Sequence, residues 1–241
     1  MIEWTIALTC AFIIGLSKGG VKGIAVVIVV GMVYVYGGRA STGIVVPLLI
    51  AGDIFAVIYY HRHAQWAYLI RFLPWMIIGV LLGVWFGNDL PEDIFKQGMA
   101  GIILFSAITM YVFDRMKIQK VPSHWSFSGS MGLMAGFTTM VGNLAGGFTD
   151  LFFLAMRLPK NQFIGTGAWL FLIINVFKVP FHVFVWKTIT VESLMIGLYL
   201  LPAVLLGLFV GVKLVAVIKE AHYRKLIIFL TAAGSLLIFF R

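Results

Sequence analysis

Four charged side chains interrupt apolar stretches of this 241-residue chain: Lys18, Asp53, Asp150 and Lys178. At bilayer depth such a group is costly unless it is paired, hydrated or neutralised, and the chemistry it can do there is to hold a small ion. Lys18 lies in Gly15-Leu16-Ser17-Lys18-Gly19-Gly20-Val21-Lys22-Gly23, between apolar runs of 12 residues (Trp4 to Gly15) and 13 residues (Ile24 to Tyr36). Neither run alone crosses a hydrocarbon core of about 30 Å. Two half-helices meeting at a polar, glycine-rich break are therefore expected, the pattern of a transporter's discontinuous helix. Ser17, Lys18, Gly19 and Gly20 are candidate substrate contacts. Lys22 is expected to snorkel to lipid headgroups instead.

A second break, Val141-Gly142-Asn143-Leu144-Ala145-Gly146-Gly147, follows the small-residue stretch Gly132 to Thr139 and precedes a short run, Phe148 to Leu158, that contains Asp150. Thr138, Thr139, Asn143, Gly146 and Gly147 are its candidates. A half-helix starting at each break points free N–H groups and a partial positive charge at the protein midplane, which suits an oxyanion. Asn175 and Lys178 are three residues apart and share one helix face. Lys178 is expected to pair with Asp53 or Asp150 when the site is empty and to turn to the substrate when it is loaded. A carboxyl group released in this way can take a proton, so Asp53 is the candidate for proton coupling. His182, one turn beyond Lys178, reads as an interfacial histidine.

The elements that must position these groups are membrane helices. The chain is 61% hydrophobic and 11% charged, more apolar sequence than a soluble core absorbs. Its net charge of +9 is spread over short inter-helix segments, which argues for topology and headgroup contact, not nucleic acid. Full spans are expected at Ile44 to Tyr60, Phe72 to Phe86 and Ile94 to Phe113. Asp114 to Pro122 is the midpoint linker, and His61-Arg62-His63 with Trp66 forms an interface anchor.

The second half repeats the first. Pro202, Gly207 and Gly211 echo Pro74, Gly79 and Gly83, and Asn175 falls near the place of Asp53. Residues 1–120 and 121–241 are thus two transmembrane repeats within a single integral membrane domain. The expected fold is an all-α polytopic membrane protein, each half a broken or re-entrant helix pair plus three transmembrane helices. With that odd count, Arg62, Arg71, Arg115, Lys117, Lys120, Arg157, Lys160, Lys213, Lys219, Arg224 and Lys225 share one side, against Arg39, Lys96, Lys187 and Arg241 on the other. The positive-inside bias then makes the repeat inverted, with both termini extracytoplasmic on a cell (inner) membrane protein. The glycine stripe at Gly79 and Gly83 suits packing inside the chain or between subunits, so a homo-oligomer stays open.

Along nearly its whole length the chain resembles the TauE/SafE family of membrane transporters, the sulfite-exporter permeases. The resemblance rests on the glycine-rich first break, on Pro74 with Gly79 and Gly83, on Arg157-Leu158-Pro159-Lys160, on Gly165-Thr166-Gly167-Ala168 and on Asn175-Val176-Phe177-Lys178. It implies that Thr166, Asn175 and Lys178 belong to the site and that the substrate is sulfite, an organosulfonate or a similar anion. This chain departs from the family in carrying lysines at its first break. The function expected is secondary transport of a small anion by alternating access, without cofactor or metal. The alternatives are an anion channel or scaffold subunit and an intramembrane enzyme acting on lipid. The enzyme lacks paired carboxylates beside a histidine, a metal-ligand cluster and a phosphate-binding loop.

Overall fold

The computed structural model describes residues 1–88, 90–115 and 124–239. Asp89, most of the midpoint linker and Arg241 lie outside the described residues. The protein is all-helical: α1 (Ile2–Lys18), α2 (Ala25–Tyr36), α3 (Gly38–Tyr60), α4 (Trp66–Gly87), α5 (Glu92–Arg115), α6 (Trp125–Gly142), α7 (Gly146–Ala155), α8 (Lys160–Pro180), α9 (Val191–Val217) and α10 (Glu220–Phe239). A single 3₁₀ turn, His61–His63, extends α3, and a π-helical turn, Phe181–Val185, extends α8. With these extensions α3 and α8, together with α4 and α9, are each long and apolar enough to span a bilayer.

Glycine decides which helices touch. Gly15 of α1 rests on the Val204 carbonyl of α9, and Gly207 of α9 rests on the Phe12 carbonyl of α1. In the other half Gly79 of α4 rests on the Leu133 carbonyl of α6, and Gly136 of α6 on the Met76 carbonyl of α4. No side chain fits at these crossings, and the helices in each pair run parallel. Small residues permit this approach where lipid removes the hydrophobic drive for helix association. Gly79 and Gly83 are therefore spent on packing within the chain. α3 and α8 also pack together, but antiparallel: Gly43 near the start of α3 meets Thr188 beyond α8, and Gly165 near the start of α8 meets Tyr60 at the end of α3.

Two matched latches hold the ends of α3 and α8. Arg39, in the first turn of α3, donates to the carbonyls of Gly87 (2.7 Å), Asn88 (2.9 Å) and Leu90 (2.8 Å), while Glu92 accepts from the Gly38 N–H (2.6 Å). Lys160, in the first turn of α8, donates to the carbonyls of Val215 (3.0 Å) and Ile218 (2.7 Å), while Glu220 accepts from the Lys160 N–H (2.8 Å). In both, a cation satisfies the carbonyls ending one helix and a carboxylate caps the N-terminus of another.

The breaks are shorter than the sequence suggests. α1 continues through Gly15, Leu16, Ser17 and Lys18, because its small residues form the α9 contact, so its first break is confined to residues 19–24. Its 17 residues reach about 25 Å at about 1.5 Å each. α6 likewise runs through Gly142, and Gly146 and Gly147 already belong to α7, leaving residues 143–145 as the second break.

Candidate functional site

Helices α2 and α7 have 12 and 10 residues, about 18 and 15 Å long, and begin at the breaks. Their N-termini meet: Ala25 of α2 lies 3.6 Å from where a Cβ on Gly146 of α7 would stand. Around this junction is a cavity of about 80 Å³, several times the space one water needs. Its walls include Ser17, Lys18, Thr139, Asn143, Gly146, Gly147, Asp150 and Asn175 among the expected residues, and Lys22 and Phe171 besides.

The two breaks close differently. After α1, the Val21 N–H returns to the Leu16 carbonyl (3.0 Å) around Gly20, whose φ of +116° is strained for any side chain. The carbonyls left over are taken by buried tyrosines: Tyr60 donates to Gly19 O (3.2 Å) and Tyr223 to Gly20 O (2.7 Å). After α6, Asn143 adopts the left-handed conformation (φ 57°), and the Leu144 N–H returns to the Thr138 carbonyl (3.2 Å). Asparagine is one of the few non-glycine residues that suit this position.

The charges form two clusters. Lys18 pairs with Asp53 at 2.7 Å, and the second oxygen of Asp53 accepts from the Asn175 amide at 2.7 Å. Asp53 is fully buried, and Lys18 Nζ also lies 4.8 Å from the centre of the Phe171 ring. Lys178, equally buried, donates to the Thr139 carbonyl (3.0 Å), the Thr139 hydroxyl (3.1 Å) and Asn143 Oδ1 (2.7 Å). These partners are all neutral. Asp150 lines the cavity, as do Lys22 and Gly23. Lys22 Nζ lies 5.6 Å from the Phe171 ring centre.

Several expectations need correction. Asp53 pairs with Lys18, not Lys178, because Lys178 is held one layer back by the α6 terminus. Lys22 does not snorkel: it is buried at the cavity wall, since residues 19–24 fold inward against α8. His182 is fully buried within the protein and is bonded to Thr188 (2.8 Å) beside the π-helical turn. Thr166 stays away from the cavity, where its hydroxyl accepts from the Gln65 N–H (2.9 Å) and caps the start of α4. The Thr138 hydroxyl turns to backbone carbonyls, with Met134 O at 2.8 Å. Gly19 is wedged against α9, where a Cβ would lie 2.7 Å from Leu208 O, and Gly20 supplies the turn. At Gly146, by contrast, a Cβ would make only ordinary contacts.

The sequence reading missed Phe171, Tyr60 and Tyr223. Phe171 was within reach: it stands four residues before Asn175 and seven before Lys178, on the same face of α8. Nothing in the local sequence marks the tyrosines, because their bonds to the break depend on packing.

The model of a known family, described as Sulfite exporter TauE/SafE, matches residues 7–238. Nothing among curated proteins or solved structures matches the chain.

Proposed function

The chain belongs to the TauE/SafE sulfite exporter family, whose members are transporter permeases and not enzymes, and from that premise we propose that it moves a small sulfur oxyanion or organosulfonate by alternating access through the cavity between α2 and α7. One observation carries the reading. Two helix N-termini and two buried lysines, Lys18 and Lys22, line one small cavity with Asp150, and behind its wall stand a third buried lysine, Lys178, and a second buried carboxylate, Asp53. This leaves a formal excess of one positive charge, and a buried uncompensated charge costs several kcal/mol unless a counterion arrives. A small anion supplies it, with oxygens for the free N–H groups of both helices.

Alternating access rests on the inverted repeat, and the packing supports it. Exchanging the halves converts the α1–α9 pair into the α6–α4 pair and the Arg39–Glu92 latch into the Lys160–Glu220 latch. It also carries α3 onto α8, which runs the opposite way. With the positive-inside bias, this reading has both termini outside the cytoplasm. Reporters fused at the C-terminus and between α5 and α6 should give opposite answers; two cytoplasmic answers would overturn the inversion.

The transport test is sulfite uptake into vesicles carrying the purified protein. Uptake should saturate and be accelerated by sulfite on the far side. A flux linear in sulfite, without trans-acceleration, would make the protein a channel, and absence of any anion-dependent flux would reject the anion reading.

A further inference from the structure

One atom in this donor-rich site is an acceptor without a donor. Asn175 of α8 is buried, only 1% exposed, and lines the cavity between α2 and α7. Its amide has two ends, and the neighbouring ion pair decides which way they face. Asp53 is paired with Lys18 at 2.7 Å, and a carboxylate only accepts. The end that meets Asp53 Oδ2 at 2.7 Å is therefore the Nδ2 donor. Oδ1 is turned away from Asp53, and among the described residues no protein group donates to it. The other amide of the site shows the contrast. Asn143 Oδ1 accepts from Lys178 at 2.7 Å, and the Thr139 hydroxyl accepts from the same ammonium at 3.1 Å. Buried polar atoms are normally partnered, so an orphaned acceptor in a cavity wall points to a ligand that brings the donor.

We propose that Asn175 Oδ1 accepts a hydrogen bond from the substrate, so that the site selects a monoanion carrying its own N–H or O–H beside the charged oxygens: hydrogensulfite in its O–H form, not the sulfite or sulfate dianion. The inference rests on the anion-site reading above and narrows it. Two independent features agree. The buried charges leave a formal excess of one positive charge, which one negative charge balances. The oxygens of such an anion use the lysines and the helix N–H groups, while its one donor has a place only at an acceptor. Asp150, a second acceptor in the wall, carries the anion's own sign of charge and repels it. A neutral amide oxygen takes the donor without that repulsion. A dianion without a donor brings a surplus negative charge and leaves Oδ1 unpaired. Asn175 is thus a specificity determinant as well as a support for Asp53, and the two roles separate. Support acts on every anion alike, whereas the acceptor acts only on anions with a donor.

The test compares sulfamate with methanesulfonate, two monoanions of nearly the same shape in which an amino group replaces a methyl. Binding to the purified full-length protein is measured by titration calorimetry, at neutral pH and fixed ionic strength, for wild type, Asn175→Leu and Asn175→Thr. Wild type should bind sulfamate about tenfold more tightly, the effect of one buried hydrogen bond made or missed. Both variants should bring the ratio near one. Asn175→Thr keeps a hydroxyl that can donate to Asp53, so it removes the amide oxygen with the least damage. Equal binding of the two probes by wild type would overturn the proposal and leave the anion site standing. A preference for sulfamate that survives in a folded variant would hand the acceptor role to Asp150 or another group and overturn that of Asn175. If neither variant folds, the wild-type ratio decides: about tenfold or more supports the donor requirement, and a ratio near one ends it. If wild type binds neither probe nor sulfite, the anion site itself is wrong and the proposal falls with it.

Discussion

The break after α1 and the break after α6 bring opposite resources to the same cavity. The first carries its cations at the end of α1 and within the break, Lys18 and Lys22, and finds its carboxylate on α3 as Asp53. The second offers only neutral groups, Thr139 and Asn143, and receives its cation from α8 as Lys178. Their backbones differ to match. The first turns over six residues, with positive φ at Gly20 and Gly23, whereas the second turns over three and uses Asn143. Asparagine does double service there, since its backbone makes the turn while its side chain holds Lys178. The difference teaches that the two halves, which we propose to be repeats of one another, can keep matched packing while their charges are redistributed. Arg39 with Glu92 and Lys160 with Glu220 stay matched at the helix ends, while the site has one centre with unlike halves.

The largest effect that tests this contrast is expected at Lys178. Lys178→Met should abolish sulfite transport, because it removes the second half's cation and leaves the buried acceptors of Thr139 and Asn143 without their donor. Each such orphan costs about 1–3 kcal/mol. Asp53→Asn should not rescue it. Rescue of stability by Asp53→Asn would pair Lys178 with Asp53 and erase the division between the halves.

Next in size is the ion pair of the first half. Lys18→Met alone should lower stability by about 3–5 kcal/mol, since it strands a fully buried carboxylate. The Lys18→Met Asp53→Asn double variant should recover most of that loss in chemical unfolding, without recovering transport. A double variant no more stable than the single would mean that the pair contributes nothing to folding.

The smallest effects sharpen the backbone contrast. Gly20→Ala should cost about 1–3 kcal/mol through its positive φ. Gly146→Ala should leave thermal stability unchanged, because a Cβ there meets Ala25 at 3.6 Å, an ordinary contact. A larger loss at Gly146 than at Gly20 would reverse the assignment of turn and wall.

Much of the fold was legible in the chain. Mean composition demanded membrane helices, Gly79 with Gly83 and Gly207 with Gly211 marked close crossings, and two short apolar runs in each half marked the breaks. Most of the candidate residues do surround one cavity, since a buried lysine, aspartate or asparagine in an apolar run has few other uses. The misreadings have a common physical origin. Helix ends depend on what the last turn packs against, so Gly15 to Lys18 looked like loop and is helix against α9. Thr166 shares a helix with Asn175 and Lys178, yet its hydroxyl serves the start of α4.

What the sequence determined by itself is what depends on solvation and local geometry: which segments enter the bilayer, where the backbone must turn, and which few charges need partners. Pairing was decided only in three dimensions. Lys18 reaches Asp53 across 35 positions and Asn175 meets Asp53 across 122. Asp150 of one half lines the same cavity as Gly23 of the other. Coulomb attraction acts over distance in space and is indifferent to distance along the chain, so several carboxylates were acceptable for each lysine until the glycine crossings of α1 on α9 and α4 on α6 brought particular ones together.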